Sequence, residues 1–300
     1  MKLFKSLFLI AAASATISCS SLYKAFHAEK GDSGAPASSF TQALHPRGTL
    51  EEATCRCSTG SVTQRRIFVY LPEEYGKNPS ERFPVLYLLH GARGNETSWV
   101  TEGAMMQIVD SLVNNSLAVP SIIVLPNVNQ YCDDEDFASS RFKKPCESLF
   151  EIDGTVETAF MKDVVGYVDS HYRTLADKQH RAIAGLSVGG LQTIFISASN
   201  PDAFGYVGLF SPMYKTPIRE SEYSSFYDNL LEKQKIQFSN PPALYSIYIG
   251  HFDFFIFHME YYRSYLNRYG FPFQYYETPG DHNWPNWRQY LIMFYQECFK

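Results

Sequence analysis

Ser187 stands in Gly185-Leu186-Ser187-Val188-Gly189, followed at once by Gly190. A serine hydroxyl attacks a carbonyl only if a neighbouring base takes its proton. It also has to be held where substrate can reach it. A sharp strand-to-helix turn does this, and needs small neighbours because the bend brings backbone segments into contact. The flanking residues fit such a turn: the strand-like run Arg-Ala-Ile-Ala (181–184) precedes it and the helical run Leu-Gln-Thr-Ile-Phe-Ile-Ser-Ala (191–198) follows. The helix would also point the positive end of its dipole at the serine, where negative charge develops during acyl transfer. Ser187 is therefore the candidate nucleophile, against the plain alternative of a structural glycine-rich turn.

The base should come from the eight histidines. His27 and His45 lie in the N-terminal segment, His90 in an earlier loop, and His171 and His180 precede the serine. Of His251, His258 and His282, the last sits in Pro279-Gly280-Asp281-His282-Asn283-Trp284, directly after the last strand-like run. This agrees with the chain order serine, acid, histidine expected of such a serine turn. The acid is assigned to Asp253, just past the carboxyl end of the strand-like run 244–249, in preference to Asp281, which is adjacent to the histidine and poorly placed to face it. Asp253 would hold the imidazole's tautomer and stabilise the imidazolium. His251 and His258 flank Asp253, but their phenylalanine-rich surroundings argue against a metal. An oxyanion needs donors. The backbone N–H groups expected to supply them are those of Val188 and of Ala92, in the loop His90-Gly91-Ala92-Arg93-Gly94-Asn95. Trp99, Tyr214 and Trp284 are the aromatic candidates for the substrate pocket, with packing as the alternative.

Positioning these groups calls for alternating strands and helices. Strands are expected at 66–71, 84–89, 122–125, 181–184, 206–210, 244–249 and 273–277. Helices are expected at 103–115, 156–172, 189–199, 220–233, 255–269 and 287–299. The pattern predicts one α/β domain over 48–300, a mostly parallel central sheet with helices on both faces. The polar stretch 127–153 is long for a connection and is expected to be a lid or substrate-facing loop.

The net charge of −5 and the lack of a long Lys/Arg run argue against nucleic acid as a partner. Lys2, Lys5, the apolar run 7–13 and the small residues after it read as an export signal over 1–19. Two exits stay open: simple secretion, or lipidation of Cys19 and membrane attachment. Residues 20–47, rich in Ser, Ala, Gly and Pro, read as a flexible tether. An exported chain can keep disulfides, and Cys132 and Cys146, which bracket a polar loop, are the expected pair. The 23 Phe and 21 Tyr suit an aryl or carbohydrate pocket as well as core packing.

Taken in order, LYLLHGARGNETSW, FMKDVVGYVDSHYRT, GLSVGG, GHFD and GDHNWPNW resemble the esterase family that includes esterase D and the family 1 carbohydrate esterases. The likeness runs from about residue 65 to the C-terminus. It implies an α/β-hydrolase without metal or other cofactor, with Ser187, His282 and Asp253 as triad and the amides of Ala92 and Val188 as oxyanion hole. Asp281 stands where the family commonly has glycine, Phe252 precedes the acid, and 127–153 does not align. Family substrates include feruloyl and acetyl esters of plant polysaccharide, siderophore esters and S-formylglutathione; the export signal disfavours the last. The resemblance thus points to an ester substrate linked to polysaccharide. A siderophore esterase and a non-catalytic glycan-binding surface lipoprotein are the alternatives.

Overall fold

The computed structural model describes residues 47–129, 152–214 and 220–300. In chain order its strands are β1 (Thr49–Arg56), β2 (Gln64–Leu71), β3 (Val85–Leu89), β4 (Ile122–Pro126), β5 (Arg181–Leu186), β6 (Tyr206–Phe210), β7 (Leu244–Gly250) and β8 (Gln274–Thr278). The helices are α1 (Ser98–Thr101), α2 (Met105–Asn114), α3 (Thr155–Phe160), α4 (Gly166–His171), α5 (Val188–Ser199), α6 (Leu230–Ser239), α7 (Ile256–Arg268) and α8 (Trp284–Glu297). A π-helical turn, Met161–Val165, joins α3 to α4.

The strands form one sheet in the order β1-β2-β4-β3-β5-β6-β7-β8. β1 pairs antiparallel with β2, and β2 with β4; the other pairings are parallel. The most apolar runs lie in the centre, where β3 to β7 are buried at every position. Helices cover both faces, so neither face can be polar. Period-two alternation divides the side chains between two cores. Val85, Tyr87 and Leu89 of β3 pack on one side with Phe160, Ile194 and Tyr262. Leu86 and Leu88 pack on the other with Ile108, Leu112, Tyr290 and Phe294. One face thus carries α3 to α5 and α7, the other α2 and α8.

Three sequence expectations change. β1 was missed because it lies at the sheet edge and is mostly exposed and polar, so it has no apolar alternation to read. The helix expected over 220–233 begins only at Leu230; a short 3₁₀ turn, Ser224–Tyr227, precedes it. The last helix begins at Trp284 instead of 287, because Asn283 caps it, accepting from the Asn286 N–H at 3.2 Å, and Pro285 suits the first turn. The export signal, Cys19, the Cys132–Cys146 pair and nearly all of the tether and of 127–153 lie outside the described residues.

Glycines set the distance between β5 and α5. A Cβ on Gly185 would collide with the Gly189 carbonyl oxygen, and one on Gly189 with the His90 carbonyl oxygen. Both obstacles are backbone and cannot swing away. Gly189→Ala is therefore expected to cost about 2 kcal/mol or more of stability, the range of overpacked cores. Urea denaturation beside the wild type would measure it; an unchanged midpoint would show that the segments can separate without cost.

Candidate active site

Ser187 sits at the junction of β5 and α5 with φ 54° and ψ −116°, a conformation that L residues seldom adopt. Two hydrogen bonds hold it there. Its N–H donates to the Phe210 carbonyl at 2.9 Å, and its carbonyl accepts from the Met213 N–H at 2.9 Å. The carboxyl end of β6 and the turn after it thus support the strained residue. Val188 opens α5, so its amide is among those the helix leaves without an intrahelical partner.

His282 and Asp253 come from loops after β8 and β7. The His282 Nδ1–H donates to Asp253 Oδ2 at 2.9 Å, and Oδ1 of the same carboxylate accepts from the Phe255 N–H at 2.8 Å. The Asp253 side chain is fully buried and that of His282 nearly so. Asp281, the rival acid, is exposed. Asn286 pins the histidine loop by donating to the Pro279 carbonyl at 3.0 Å, and Gly280, at φ 105°, makes the turn. The loops bearing Asp253 and His282 are also joined directly, since the Phe252 N–H donates to the Gly280 carbonyl at 3.0 Å. Three rings enclose the imidazole: Phe254 at 4.4 Å, Trp287 at 5.0 Å and Phe255 at 5.1 Å between centroids. A low-dielectric shell of this kind strengthens the buried ion–dipole contact with Asp253.

Ser187 and His282 line one cleft of about 570 Å³ at the carboxyl edge of the sheet, together with Gly91, Ala92, Ser98, Phe254, Trp284 and Trp287. The volume suits a small-molecule-sized group. Gly91 lies so close that a Cβ there would be 3.2 Å from the Ser187 Cβ. The loop after β3 therefore runs beside the serine. A second concavity, about 640 Å³ around Gln179, His180, Gly205 and Ala243, opens at the amino ends of the strands and contains none of the candidate triad.

His90 fixes that loop. The Gly91 carbonyl accepts from Nδ1–H at 2.7 Å and from the Gly94 N–H at 3.1 Å, while the Val128 N–H donates to Nε2 at 3.0 Å. The partners thus assign the tautomer, with the proton on Nδ1. The Gly91 carbonyl and the Ala92 N–H belong to one planar trans peptide, so pinning the first toward His90 turns the second the opposite way. Asn129 adds a tie, donating to the Gly94 carbonyl at 2.7 Å.

The aromatic candidates separate. Trp284 lines the cleft. Trp99 does not: it is buried behind Trp284, ring edge to ring face at 5.2 Å, and donates its indole N–H to the Leu89 carbonyl at 3.1 Å. Its place is behind the wall, which corrects the expectation that it touches substrate. Tyr214 packs against Tyr262, the rings tilted and 4.6 Å apart, and is outside the residues that line the cleft. Phe254 and Trp287 were missed, although the Phe-rich run after Asp253 and the three-residue spacing of Trp284 and Trp287 were readable signals. His251 pairs instead with Glu277 at 2.6 Å, and His258 packs on Phe255.

Burial pulls the His90 imidazole down to about 4 from its usual 6.5. A second proton would also have to sit on Nε2, facing the Val128 donor. Between pH 6.5 and 4 the unfolded chain takes up this proton and the folded one does not. The neutral site's contribution is thus present above pH 6.5 and lost as pH falls toward 4, by up to about 3 kcal/mol. Denaturation midpoints at pH 7 and pH 4.5 should fall less steeply for His90→Gln than for the wild type. Equal pH dependence in the two would remove His90 as the cause.

The family described as "Putative esterase" matches residues 58–245, a range that includes Ser187 and stops before Asp253 and His282. An endo-1,4-beta-xylanase/feruloyl esterase from Xylanibacter ruminicola is 38% identical over 157 residues, which cover 51% of this chain and 20% of that protein. The chain thus spans about a fifth of the length of this curated relative. Among solved structures, a CE1 ferulic acid esterase from Anaeromyces mucronatus in complex with ferulic acid superimposes with a TM-score of 0.67 at 24% identity, covering 84% of this chain and 91% of that one. An S-formylglutathione hydrolase from Staphylococcus aureus gives 0.61 at 18%, covering 83% and 98%. Both share the α/β-hydrolase fold seen here, and the family match extends over most of the folded body; the chain belongs to this esterase family.

Proposed function

We propose that this protein is an exported serine carboxylic-ester hydrolase that cleaves feruloyl or acetyl esters carried by plant polysaccharide. The observation that carries the reading is the 2.9 Å contact between His282 Nδ1 and Asp253 Oδ2, in a cleft that His282 shares with Ser187. With Nδ1–H committed to the aspartate, the Nε2 lone pair is left to take the Ser187 proton. Ser187 Oγ attacks the ester carbonyl, and His282 then hands that proton to the departing alcohol. Water deprotonated by His282 releases the acid from the acyl-enzyme and restores the serine. Asp253 stays ionised throughout and stabilises the imidazolium. The Ala92 and Val188 amides receive the oxyanion in this scheme, supported by the crowding of Gly91 on Ser187 and by the clamp of His90 on the Gly91 carbonyl.

The choice of acyl group rests on the cleft wall and the relatives. Trp284, Trp287 and Phe254 give an aromatic lining that favours an aryl acid over acetate. A matched relative carries xylanase and feruloyl esterase in its name, which supports a polysaccharide-linked ester. Export rests on Lys2, Lys5 and the apolar run that follows, with lipidation at Cys19 as its membrane-attached form.

Purified protein lacking residues 1–19 would be assayed on methyl ferulate, p-nitrophenyl acetate, acetylated xylan and a catecholate siderophore ester. Methyl ferulate should be the best of the four by kcat/KM. Ser187→Ala should abolish turnover, and Asp253→Asn should lower kcat on the order of 10⁴-fold. Folded protein that is silent on every ester would sink the reading, and a preference for the siderophore ester would replace its substrate.

A further inference from the structure

Tyr290, in the second turn of α8, is fully buried, and its ring packs against Tyr248 and Phe210 at 5.6 and 6.0 Å between centroids. A phenylalanine would pack there as well. A hydroxyl taken into such surroundings costs stability unless it is hydrogen-bonded. Here it meets Asn286 Nδ2 at 2.9 Å and Thr278 Oγ1 at 3.0 Å, and both of those residues are buried. Burial pushes the Tyr290 hydroxyl up to about 12, so it keeps its proton and can donate to one neighbour while accepting from the other.

The Asn286 amide that bonds this hydroxyl also holds the loop of His282. Its Nδ2 donates to the Pro279 carbonyl at 3.0 Å and lies 3.2 Å from Thr278 Oγ1. A carbonyl can only accept, so one amide hydrogen is committed to Pro279 and the nitrogen has to face that way. The other hydrogen is left for Tyr290, whose O–H then donates to Thr278. The backbone N–H of Asn286 donates to Asn283 Oδ1 at 3.2 Å. His282 lies between Pro279 and Asn283, so one residue grips the chain on both sides of it. A Cβ on Gly280 would collide with Asn286 Oδ1, so the turn closes directly onto this side chain. Thr278 extends the frame toward Asp253, because its carbonyl accepts from the His251 N–H at 2.8 Å.

We propose that the Tyr290 hydroxyl is a positioning group for His282, acting through the side chain of Asn286. The inference rests on the esterase reading above and adds the residue that orients its base. Without the hydroxyl, Asn286 and Thr278 lose the group that both of them bond, and the amide can swing toward Thr278 and away from Pro279. The segment from Pro279 to Asn283 then loosens, and the imidazole leaves the line between Asp253 and Ser187. A misplacement of about 1 Å can lower a rate by about a hundredfold. Tyr290 is outside the residues that line the cleft, so losing its hydroxyl leaves the walls that meet substrate in place.

The test uses Tyr290→Phe, which keeps the ring. On methyl ferulate, kcat should fall about tenfold while KM stays within about twofold of wild type. The His282 Nδ1 proton, bonded to Asp253, gives a proton NMR line far downfield of the amides, and this line should shift or broaden in the same variant. Thr278→Val should act likewise, whereas Thr278→Ser, which keeps a hydroxyl, should recover most of both readings. A folded Tyr290→Phe with wild-type kcat would overturn the proposal, and so would one with lowered kcat and an unmoved line. Should Tyr290→Phe fail to fold, Thr278→Val breaks the chain of bonds from its other end, and the same two readings decide. If the wild type hydrolyses no ester, the esterase reading fails; the NMR line still shows whether the hydroxyl holds the imidazole.

Discussion

The site depends on three stretches of backbone that lie closer together than side chains would permit. At Ser187 the chain leaves β5 and enters α5 through a residue with φ 54°. Such a conformation costs on the order of 1–3 kcal/mol and lasts only where its surroundings enforce it. Enforcement comes from β6, which takes the Ser187 amide, and from glycines at 185, 189 and 91, where a Cβ would strike neighbouring backbone or side chain. The same closeness that strains the serine sets the loop after β3 beside it. Strain at the serine and position of the 90–95 loop are therefore one feature. The central parallel strands, buried on both faces, are the rigid frame against which it is held.

The second half of the site is built on different terms. His282 and Asp253 meet across two loops, held by side chains, caps and rings instead of by backbone crowding. Trp287 comes from the first turn of α8 and Phe255 from the residue before α7, so helices from both faces of the sheet wall the imidazole. Here the polar contact is fully dry on the aspartate side, and losing the enclosing rings would weaken it even with both partners in place.

How legible all this was in the sequence follows from what each part needs. The central strands could be read because burial on both faces leaves continuous apolar runs, and the serine turn because crowding leaves glycines. Asp253 and His282 could be placed because each follows a strand's carboxyl end. β1 could not, since an exposed edge imposes no pattern. Trp99 was misread because a tryptophan beside the loop after β3 has the same signature whether it forms a wall or stands behind one; only its indole bond to Leu89 decides. The His90 clamp was equally hidden. Its partners are backbone atoms of Gly91 and Val128, and sequence says nothing about which carbonyl a histidine will meet.

β1 is also a boundary of the sheet. It is the one strand at its end of the sheet, and its outward groups include Glu51, Glu52 and Arg56, all exposed. An unpaired strand edge is a template onto which another chain can add, and charged side chains make that addition costly because they would be drawn from water. An eight-stranded sheet with an apolar centre thus ends in a strand that other strands have little reason to join. What left β1 invisible as a pattern, its exposed and charged side chains, is also what opposes the addition of another strand at that edge.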